Sequence, residues 1–513
     1  MNILLVSGYE LGHQPYHLGI AASHLVEDGH RVRCLDLQVE AAENELFEWA
    51  DAVGISVPMH TAARLGVEFA RTLHSSYPDM PIVFYGLYAH VAVDAFVSGT
   101  AELDKRCSDP PLQVEKARGL VVGIAGEYPA ALRRWAVSVE ENGITGDSPG
   151  PLTSQVTVTL DRQKSIVPAR HLLPSLDRYA RLAWDGEERL VGYVEAATGC
   201  SHRCRHCPVP IVYAGRIRKA AIEAVLEDVG WLVEHGASHI TFGDPDFLNA
   251  PSFASELVSE LHSAFPGITF DCTAKVEHVL RYEDLWQQLA ERGLLFVVSA
   301  FETTNSEVLK VLDKGHLPED FPRAVTILRT AGVEVRPSFL PFTPWAHSRD
   351  LLNILELCVE LDLVANVDPV QYSLKLLVPK GSLLLETPEL RAYLGDYDSE
   401  AMSFRWKARD PATIVLQQKV AEVASRAAMS NLSLRDTLEQ IGKEILLASK
   451  ETMPEDPAIK ISSTDSDFLA ALLSAADPEK VKSRPKLTEA WFCCAEPTSA
   501  QLQSACGTAQ VCA

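Results

Sequence analysis

Twice along its length this sequence alternates short apolar runs with longer amphipathic stretches, and that rhythm limits the possible folds more than any other feature. In the first block, residues 1–142, the runs NILLVSG, HRVRCLDL, AVGISVP, PIVFYG and GLVVGIAG flank stretches such as LGIAASHLVEDG and TAARLGVEFARTLHSSY. Strands joined by helices of roughly 10–15 residues predict a parallel sheet covered on both faces. The second block, residues 189–385, carries LVGYVEAA, HITFGD, ITFDCTA, LLFVVSAFE, VEVRPSFL and DPVQYSLKL, six β/α units that fit a partial barrel. Residues 143–188 break the rhythm with Gly and Pro and hold one alternating strand, VTVTL, expected to be a linker hugging the second domain. Residues 386–490 read as helical apart from a solvated loop at 451–466, and residues 491–513 form a Cys-rich tail. The expected class is α/β: a doubly wound parallel-sheet domain, a partial (β/α)6 barrel and a helical C-terminal region.

Length and charge narrow the functions. A chain of 513 residues has room for about three domains at roughly 150 residues each. Its 46 Lys and Arg stand against 69 Asp and Glu, a formal net charge of −23, which argues against a nucleic-acid partner. We find no apolar run near the roughly 18 residues a membrane span needs. The opening MNILLVSGYE is short for a signal peptide and reads as a first strand, so a soluble cytoplasmic protein with no membrane partner is expected.

The eleven cysteines are unevenly placed: Cys200, Cys204 and Cys207 form one cluster, and Cys493, Cys494, Cys506 and Cys512 another. In a cytosolic chain such clusters point to metal or redox chemistry. Cys34, Cys107, Cys272 and Cys358 are scattered and read as small buried side chains. The segment TGCSHRCRHCPVP follows a predicted strand, which puts Cys200 on a loop at the ligand-binding end of the sheet. Three thiolates at this spacing can hold three irons of a cubane and leave the fourth open. A tetrahedral zinc site completed by His202 or His206 is the alternative.

The triplet, placed after the first barrel strand, resembles that of the radical S-adenosylmethionine (SAM) enzymes. The resemblance implies a 4Fe–4S cluster on Cys200, Cys204 and Cys207, with SAM chelating the open iron through its amino and carboxylate groups. It further implies reductive cleavage of SAM to a 5′-deoxyadenosyl radical, with a reductase or flavodoxin-type protein as electron donor. Where the family usually has an aromatic residue stands His206, whose imidazole can pack over adenine. By the same resemblance, the backbone at Gly243 meets the SAM amino group, and Asp244 or Asp246 takes the part of the family's acid. The other reading of Asp244-Pro245 is a turn capping the next helix. Ser299 and Glu302 would meet the SAM ribose and carboxylate, Lys314-Gly315-His316 looks like a helix-ending turn, and Arg336 on the fifth strand points either into the barrel, toward a carboxylate and the cofactor, or out to solvent.

The first block resembles the cobalamin-binding domains that precede many such barrels. The carrying stretches are GHQPYHLGIAASHLVEDGHRVRCLDL, ADAVGISVPMH, VFYGLYAH and GIAGEYPAAL, with ligand-side turns at Gly8–Glu10, Pro58–His60, Gly86–Tyr88 and Gly126–Glu127. Pro58 and Gly86 are the implied cofactor contacts. The D-x-H-x-x-G sequence that brings a histidine to cobalt is absent, so cobalamin would bind without a protein imidazole or not at all. His13, His17, His60 and His90 read as ordinary polar loop residues.

The tail, Trp491-Phe492-Cys493-Cys494-Ala495-Glu496-Pro497 followed by Cys506-Gly507 and Cys512, resembles the CUAEP/CCAEP-tail radical SAM group, in which selenocysteine can stand at the position of Cys494. This implies a catalytic thiol at Cys494, acting as nucleophile, redox centre or metal ligand, with one of the vicinal pair Cys493 and Cys494 as a resolving thiol. An auxiliary cluster on the four tail cysteines is the other option. The expected function is a radical SAM enzyme, cobalamin-associated and methylating an unactivated carbon of a small molecule or peptide. Alternatives are a radical SAM oxidoreductase or rearrangement enzyme without cobalamin, and a non-catalytic iron–sulfur or metal carrier. A methylthiotransferase is disfavoured, because the first block has only Cys34 and Cys107 to offer a second cluster.

Overall fold

The computed structural model describes the chain except for residues 107–119, 143–152, 452–462, 490–491, 493 and 507–513. Cys107, Trp491, Cys493, Gly507 and Cys512 therefore lie outside the described residues, as does most of the expected loop at 451–466.

The first sheet comprises β1 (Asn2–Ser7), β2 (Arg31–Asp36), β3 (Ala52–Ser56), β4 (Ile82–Tyr85), β5 (Leu120–Gly126) and β6 (Thr153–Thr159). All pairings are parallel, in the order β2-β1-β3-β4-β5-β6. Its central strands are apolar at nearly every position because helices cover both faces. Leu4 and Val6 enter one hydrophobic cluster, while Ile3 and Leu5 enter the cluster on the opposite face. The helix His60–Ser76 shows the matching pattern: Ala63, Val67, Ala70 and Leu73 form one buried stripe, and Pro78 follows its end. The order reverses between β1 and β3, so a crevice opens beyond their C-terminal ends.

One expectation is corrected here. The VTVTL segment extends the first sheet as β6, in register with β5 from Thr153 to Thr159, rather than hugging the barrel. A linker with β-branched residues at alternating positions finds an open strand edge beside β5 and fills it.

The second sheet contains β7 (Arg181–Trp184), β8 (Glu187–Val194), β11 (His239–Phe242), β12 (Thr269–Thr273), β13 (Leu294–Glu302), β14 (Glu334–Phe339) and β17 (Lys486–Leu487). A small antiparallel pair, β9 (Ala197–Gly199) and β10 (Ile217–Lys219), brackets the cysteine loop, and β15 (Leu394–Asp398) pairs with β16 (Ser403–Trp406) in the C-terminal region. The order β14-β13-β12-β11-β8-β7-β17 makes a partial barrel of five parallel strands with two antiparallel ones at its edge.

The sixth expected strand, DPVQYSLKL, is instead a 3-10 turn at Pro369–Ser373 with a single bridge from Lys375 to Phe342. Pro369 has no N–H to give a ladder, and the Gln371 side chain takes the hydrogen bond of Phe339 N, at 3.1 Å, that a neighbouring strand would have taken. Beyond the barrel, helices Ala412–Ser430, Leu434–Glu451 and Ser463–Ala475 cover one side.

The two sheets are fastened by a buried guanidinium. Arg170 is fully enclosed; it donates to Asp228 at 2.9 Å, to Gln14 Oε1 at 3.0 Å and to the Tyr193 carbonyl at 2.6 Å. A paired and fully hydrogen-bonded charge of this kind holds register between domains, and removing either partner would strand the other.

Candidate active site

The C-terminal ends of both sheets open onto one cavity of about 1180 Å³. Glu10, Pro58, His60 and Gly86 line it from the first sheet, while Glu195, Gly243, Glu302 and Arg336 line it from the barrel.

The cysteine loop forms part of the wall. Cys200 and Cys204 are buried, Cys207 is half-buried and lines the cavity, and none of the three is in a disulfide. Gly199 starts the loop at φ +75°, where a side chain would strike the Arg216 carbonyl and the Tyr213 ring. Ser201 N and Oγ donate to Asn249 Oδ1 at 3.1 and 2.7 Å, and Cys200 Sγ lies 3.6 Å from the same oxygen. Arg205 N donates to the Leu312 carbonyl at 2.9 Å. Burial pushes the Cys207 thiol up to about 12 and the Cys200 thiol in the same direction. Thiols so placed ionise when a cation arrives to offset the charge.

The histidines proposed for zinc are engaged elsewhere. His206 Nε2 is 3.1 Å from Glu302, and His202 Nε2 is 3.2 Å from His278 Nε2. Among the described residues the only trio of His, Cys or carboxylate ligand atoms within 4.8 Å of one another is His202, Asp246 and His278, which contains no cysteine. Lys275 Nζ sits 3.0 Å from His202 Nδ1, a cation where a second cation would have to come. A tetrahedral zinc holds its thiolates only about 4 Å apart, a closeness the triplet does not have.

The other barrel residues divide into those that face the cavity and those that brace it. Gly243 lines the cavity, and a side chain there would run into the Tyr193 phenol. Asp244 accepts from Ala196 N at 2.7 Å and is pushed up to about 8 by burial, so it clamps the exit of β8. Asp246 caps the Phe247–Asn249 turn through Leu248 N at 3.0 Å and accepts from His278 Nδ1 at 2.9 Å. Ser299 is fully buried, with no hydrogen-bond partner for its hydroxyl. Neither aspartate nor Ser299 lines the cavity.

Glu302 does line it, at a left-handed φ of +65° that closes β13. Burial alone would raise this carboxyl, but Lys314 Nζ at 2.8 Å and His206 outweigh burial and hold it far below the usual range. Lys314 is thus more than the helix-ending turn of the sequence reading; it is the buried counter-charge of Glu302. Of the two directions open to it, Arg336 takes the inward one, where its guanidinium is paired with Asp368 at 2.9 Å.

On the first sheet, Pro58 and Gly86 both reach the cavity. Gly86 has φ +114°, and a Cβ there would lie 3.0 Å from the Val57 carbonyl carbon. Sequence reasoning missed the most polar part of the wall. His17 Nε2 lies 3.2 Å from Glu195, its Nδ1 lies 3.4 Å from Tyr128 Oη, and Tyr193 Oη donates to Glu195 at 3.0 Å. Burial would lower the His17 pKa, but Glu195 and Glu10 carry it to about 9. Burial raises Glu10 to about 7 and drops His13 and His60 to about 4. A signal was available: Glu10 and Glu195 each follow the first strand of their block, at the ligand edge.

The tail returns to this cavity. Thr61 Oγ1 donates to the Ala495 carbonyl at 2.9 Å, and Arg64 pairs with Glu496 at 2.6 Å. These contacts seat the turn around Cys494 on the N-terminus of helix His60–Ser76, with Cys494 and Phe492 lining the cavity.

Comparison with known proteins agrees with this geometry. Residues 194–358 match the profile of the radical SAM superfamily. The chain is 24% identical to the hopanoid C-3 methylase of Methylococcus capsulatus over 367 residues, 69% of this chain and 66% of that protein. It is 22% identical to the hopanoid C-2 methylase of Rhodopseudomonas palustris over 331 residues, 63% of this chain and 55% of that one. The chain therefore spans somewhat less than two thirds of these relatives. In fold it is similar to the cobalamin-dependent SAM radical enzyme OxsB with aqua-cobalamin bound, at TM-score 0.60 and 14% identity over 93% of this chain and 74% of that one. It is also similar to the radical SAM methyltransferase TsrM of Kitasatospora setae with tryptophan and a SAM analogue bound, at TM-score 0.52 and 18% identity over 70% and 71% of the two chains.

Proposed function

Because residues 194–358 are a radical SAM superfamily domain, we propose that this chain is a cytoplasmic, cobalamin-associated radical SAM methyltransferase acting on an unactivated carbon of a small molecule or peptide. The observation that carries the reading is the single cavity reached by the ligand edges of both sheets, with Cys207 in its wall. The activity of the hopanoid methylases supports methyl transfer, and the likeness in fold to OxsB with aqua-cobalamin bound supports the cobalamin.

The residues fit the implied groups. Three thiols on one loop, outside any disulfide and raised by burial, suit a cluster that supplies positive charge. Gly86, at φ +114° and packed against the Val57–Pro58 backbone, lets the chain turn tightly at the cavity edge and present backbone there to a flat macrocycle. When bound, the cluster supplies the electron that splits SAM into methionine and a 5′-deoxyadenosyl radical, and cobalamin supplies a methyl carrier.

The chain's own part is positional. Cys200, Cys204 and Cys207 hold the cluster, and Gly243 admits the SAM amino group to bare backbone. Glu302, kept anionic by Lys314, accepts hydrogen bonds from SAM. Asp244 and Asp246 brace the strand ends behind it, Ser299 stays buried in β13, and Arg336 with Asp368 closes the far side of the barrel mouth. Pro58 and Gly86 would bear on the corrin, and protonated His17 holds a proton between the Glu195 carboxylate and the Tyr128 hydroxyl beside the substrate space. Cys494 brings a thiol to the substrate, and Cys493, its neighbour in sequence, serves as resolving thiol.

Anaerobic reconstitution with iron, sulfide, cobalamin, SAM and reductant tests the reading. The expected result is 5′-deoxyadenosine together with a corrinoid spectrum that stays with the protein. A complete cluster that forms no 5′-deoxyadenosine overturns the enzyme, and a colourless first domain overturns the cobalamin.

A further inference from the structure

In the tail motif Cys493-Cys494-Ala495-Glu496-Pro497 the charged residue, Glu496, reaches both domains. Its Oε2 is 2.6 Å from Arg64 Nη1 on the first-domain helix His60–Ser76. Its Oε1 is 3.8 Å from Nζ of Lys375, the residue that bridges to Phe342 in the barrel region. His60 Nε2 stands 4.0 Å from the same oxygen, but burial drops His60 to about 4, so it is neutral and adds no charge to the group.

The backbone on either side of Cys494 is fastened as well. Thr61 lies three residues before Arg64, on the same face of its helix. Its hydroxyl is 2.9 Å from the Ala495 carbonyl and 3.4 Å from that of Phe492. Ala495 belongs to the buried barrel-side cluster of Leu340, Leu374 and Leu376, and Phe492 packs against it. Further on, Thr498 and Gln501 cap helix Ser499–Cys506 reciprocally, and Leu502 packs against Tyr9, Ala62 and Leu65 of the first domain. Between these anchors Cys494, half-buried, lines the cavity.

With Glu496 39% exposed and Arg64 20%, their ion pair is of a kind that contributes little to the stability of the whole fold. Its effect is local. A tail resting on a few side chains lies near balance between seated and released, so one contact shifts that balance. We infer that Glu496 is a positioning residue: by joining Arg64 of the first domain to Lys375 of the barrel, it seats the tail at the cavity wall and holds the Cys494 thiol there. The inference rests on the reading above, in which Cys494 brings its thiol to the substrate.

The test reads Cys494 directly and needs no substrate. The reconstituted full-length protein is treated with iodoacetamide, and tandem mass spectrometry follows alkylation at each cysteine. In Glu496→Gln and in Arg64→Gln the Cys494 rate should rise about fivefold or more at low salt, with Cys34 and Cys358 staying within about twofold of wild type. Lys375→Gln should act in the same direction but less. Testing both partners separates seating from the local field: on a fixed thiol, losing the carboxylate would raise reactivity, but losing the guanidinium would lower it. Arg64→Lys should stay near wild type, and Arg64→Glu combined with Glu496→Arg should recover part of what either change loses alone. Raising salt to about 1 M should speed the wild type and leave Glu496→Gln unchanged. Cys494 rates unchanged in Glu496→Gln and Arg64→Gln overturn the positioning role and leave the enzyme standing. Rates at Cys34 and Cys358 that rise with Cys494 do the same, since the variants then loosen the whole fold. Wild-type protein with a complete cluster that forms no 5′-deoxyadenosine overturns the enzyme reading and the positioning role with it.

Discussion

The two halves of the cavity are built by different means. On the first sheet the ligand edge is largely backbone: Pro58, and Gly86 at φ +114°, leave an open shelf with a patch of buried acid and imidazole beside it. On the barrel the edge is made of side chains held in fixed charge states, with Glu302 locked by Lys314 and three thiols fixed on a pinned loop. A shelf suits a large rigid group recognised by shape, and fixed charges suit a small polar one recognised by hydrogen bonds. The lesson is that one cavity can be damaged on either side separately, and the two kinds of damage should look different.

The largest expected effect is on the barrel side. Cys204→Ala should abolish the visible absorbance of the cluster and all 5′-deoxyadenosine, and iron analysis checks it; full iron content in the variant would mean the triplet is misassigned. Next comes the shelf. Gly86→Val should cut corrinoid retention by roughly tenfold, about 1.4 kcal/mol, while leaving iron content unchanged. Loss of both together would show that the two halves are not independent. Lys314→Met frees the Glu302 carboxyl from its counter-charge, so SAM binding should weaken about tenfold with the cluster still present. Titration of the cluster's spectrum with SAM measures this, and Lys314→Arg should restore part of it.

Legibility in the sequence followed the same division. The alternation of runs specified both parallel sheets, because helices covering two faces demand apolar strands. It failed at Pro369, where side chains of Gln371 and Arg336 replaced a ladder, and at Thr153–Thr159, where strand pairing won over the look of a linker. The cysteine spacing is local, and it keeps the three thiols on one loop after β9. Asp244 and Asp246 were given ligand parts in the sequence reading, yet they face away from the cavity and brace the strand ends, a distinction set by side-chain direction that no spacing reveals. The cluster of Glu10, His17 and Glu195 was missed because its members come from two domains and meet only when the sheets dock.

That cluster allows the smallest and most specific test of how the halves are joined. His17 belongs to the first domain and Glu195 to the barrel, so their ion pair at 3.2 Å spans the interface. The folded pKa of His17, about 9, lies above its ordinary value of 6.5. A group raised on folding contributes stability that is complete below the unfolded pKa and is lost as pH rises through the folded one. Wild-type stability to urea should therefore fall between about pH 6.5 and 9, a fall that His17→Gln should flatten while lowering stability modestly at pH 6. Glu10, raised to about 7 by burial, acts in the same sense, since ionising it in the fold is unfavourable. Glu10→Gln should remove the part of the slope that lies below pH 7, so the double variant separates the two groups. A slope unchanged in His17→Gln would mean that the histidine is neutral in the folded protein and that the two sheets are joined here by shape and by Arg170 alone.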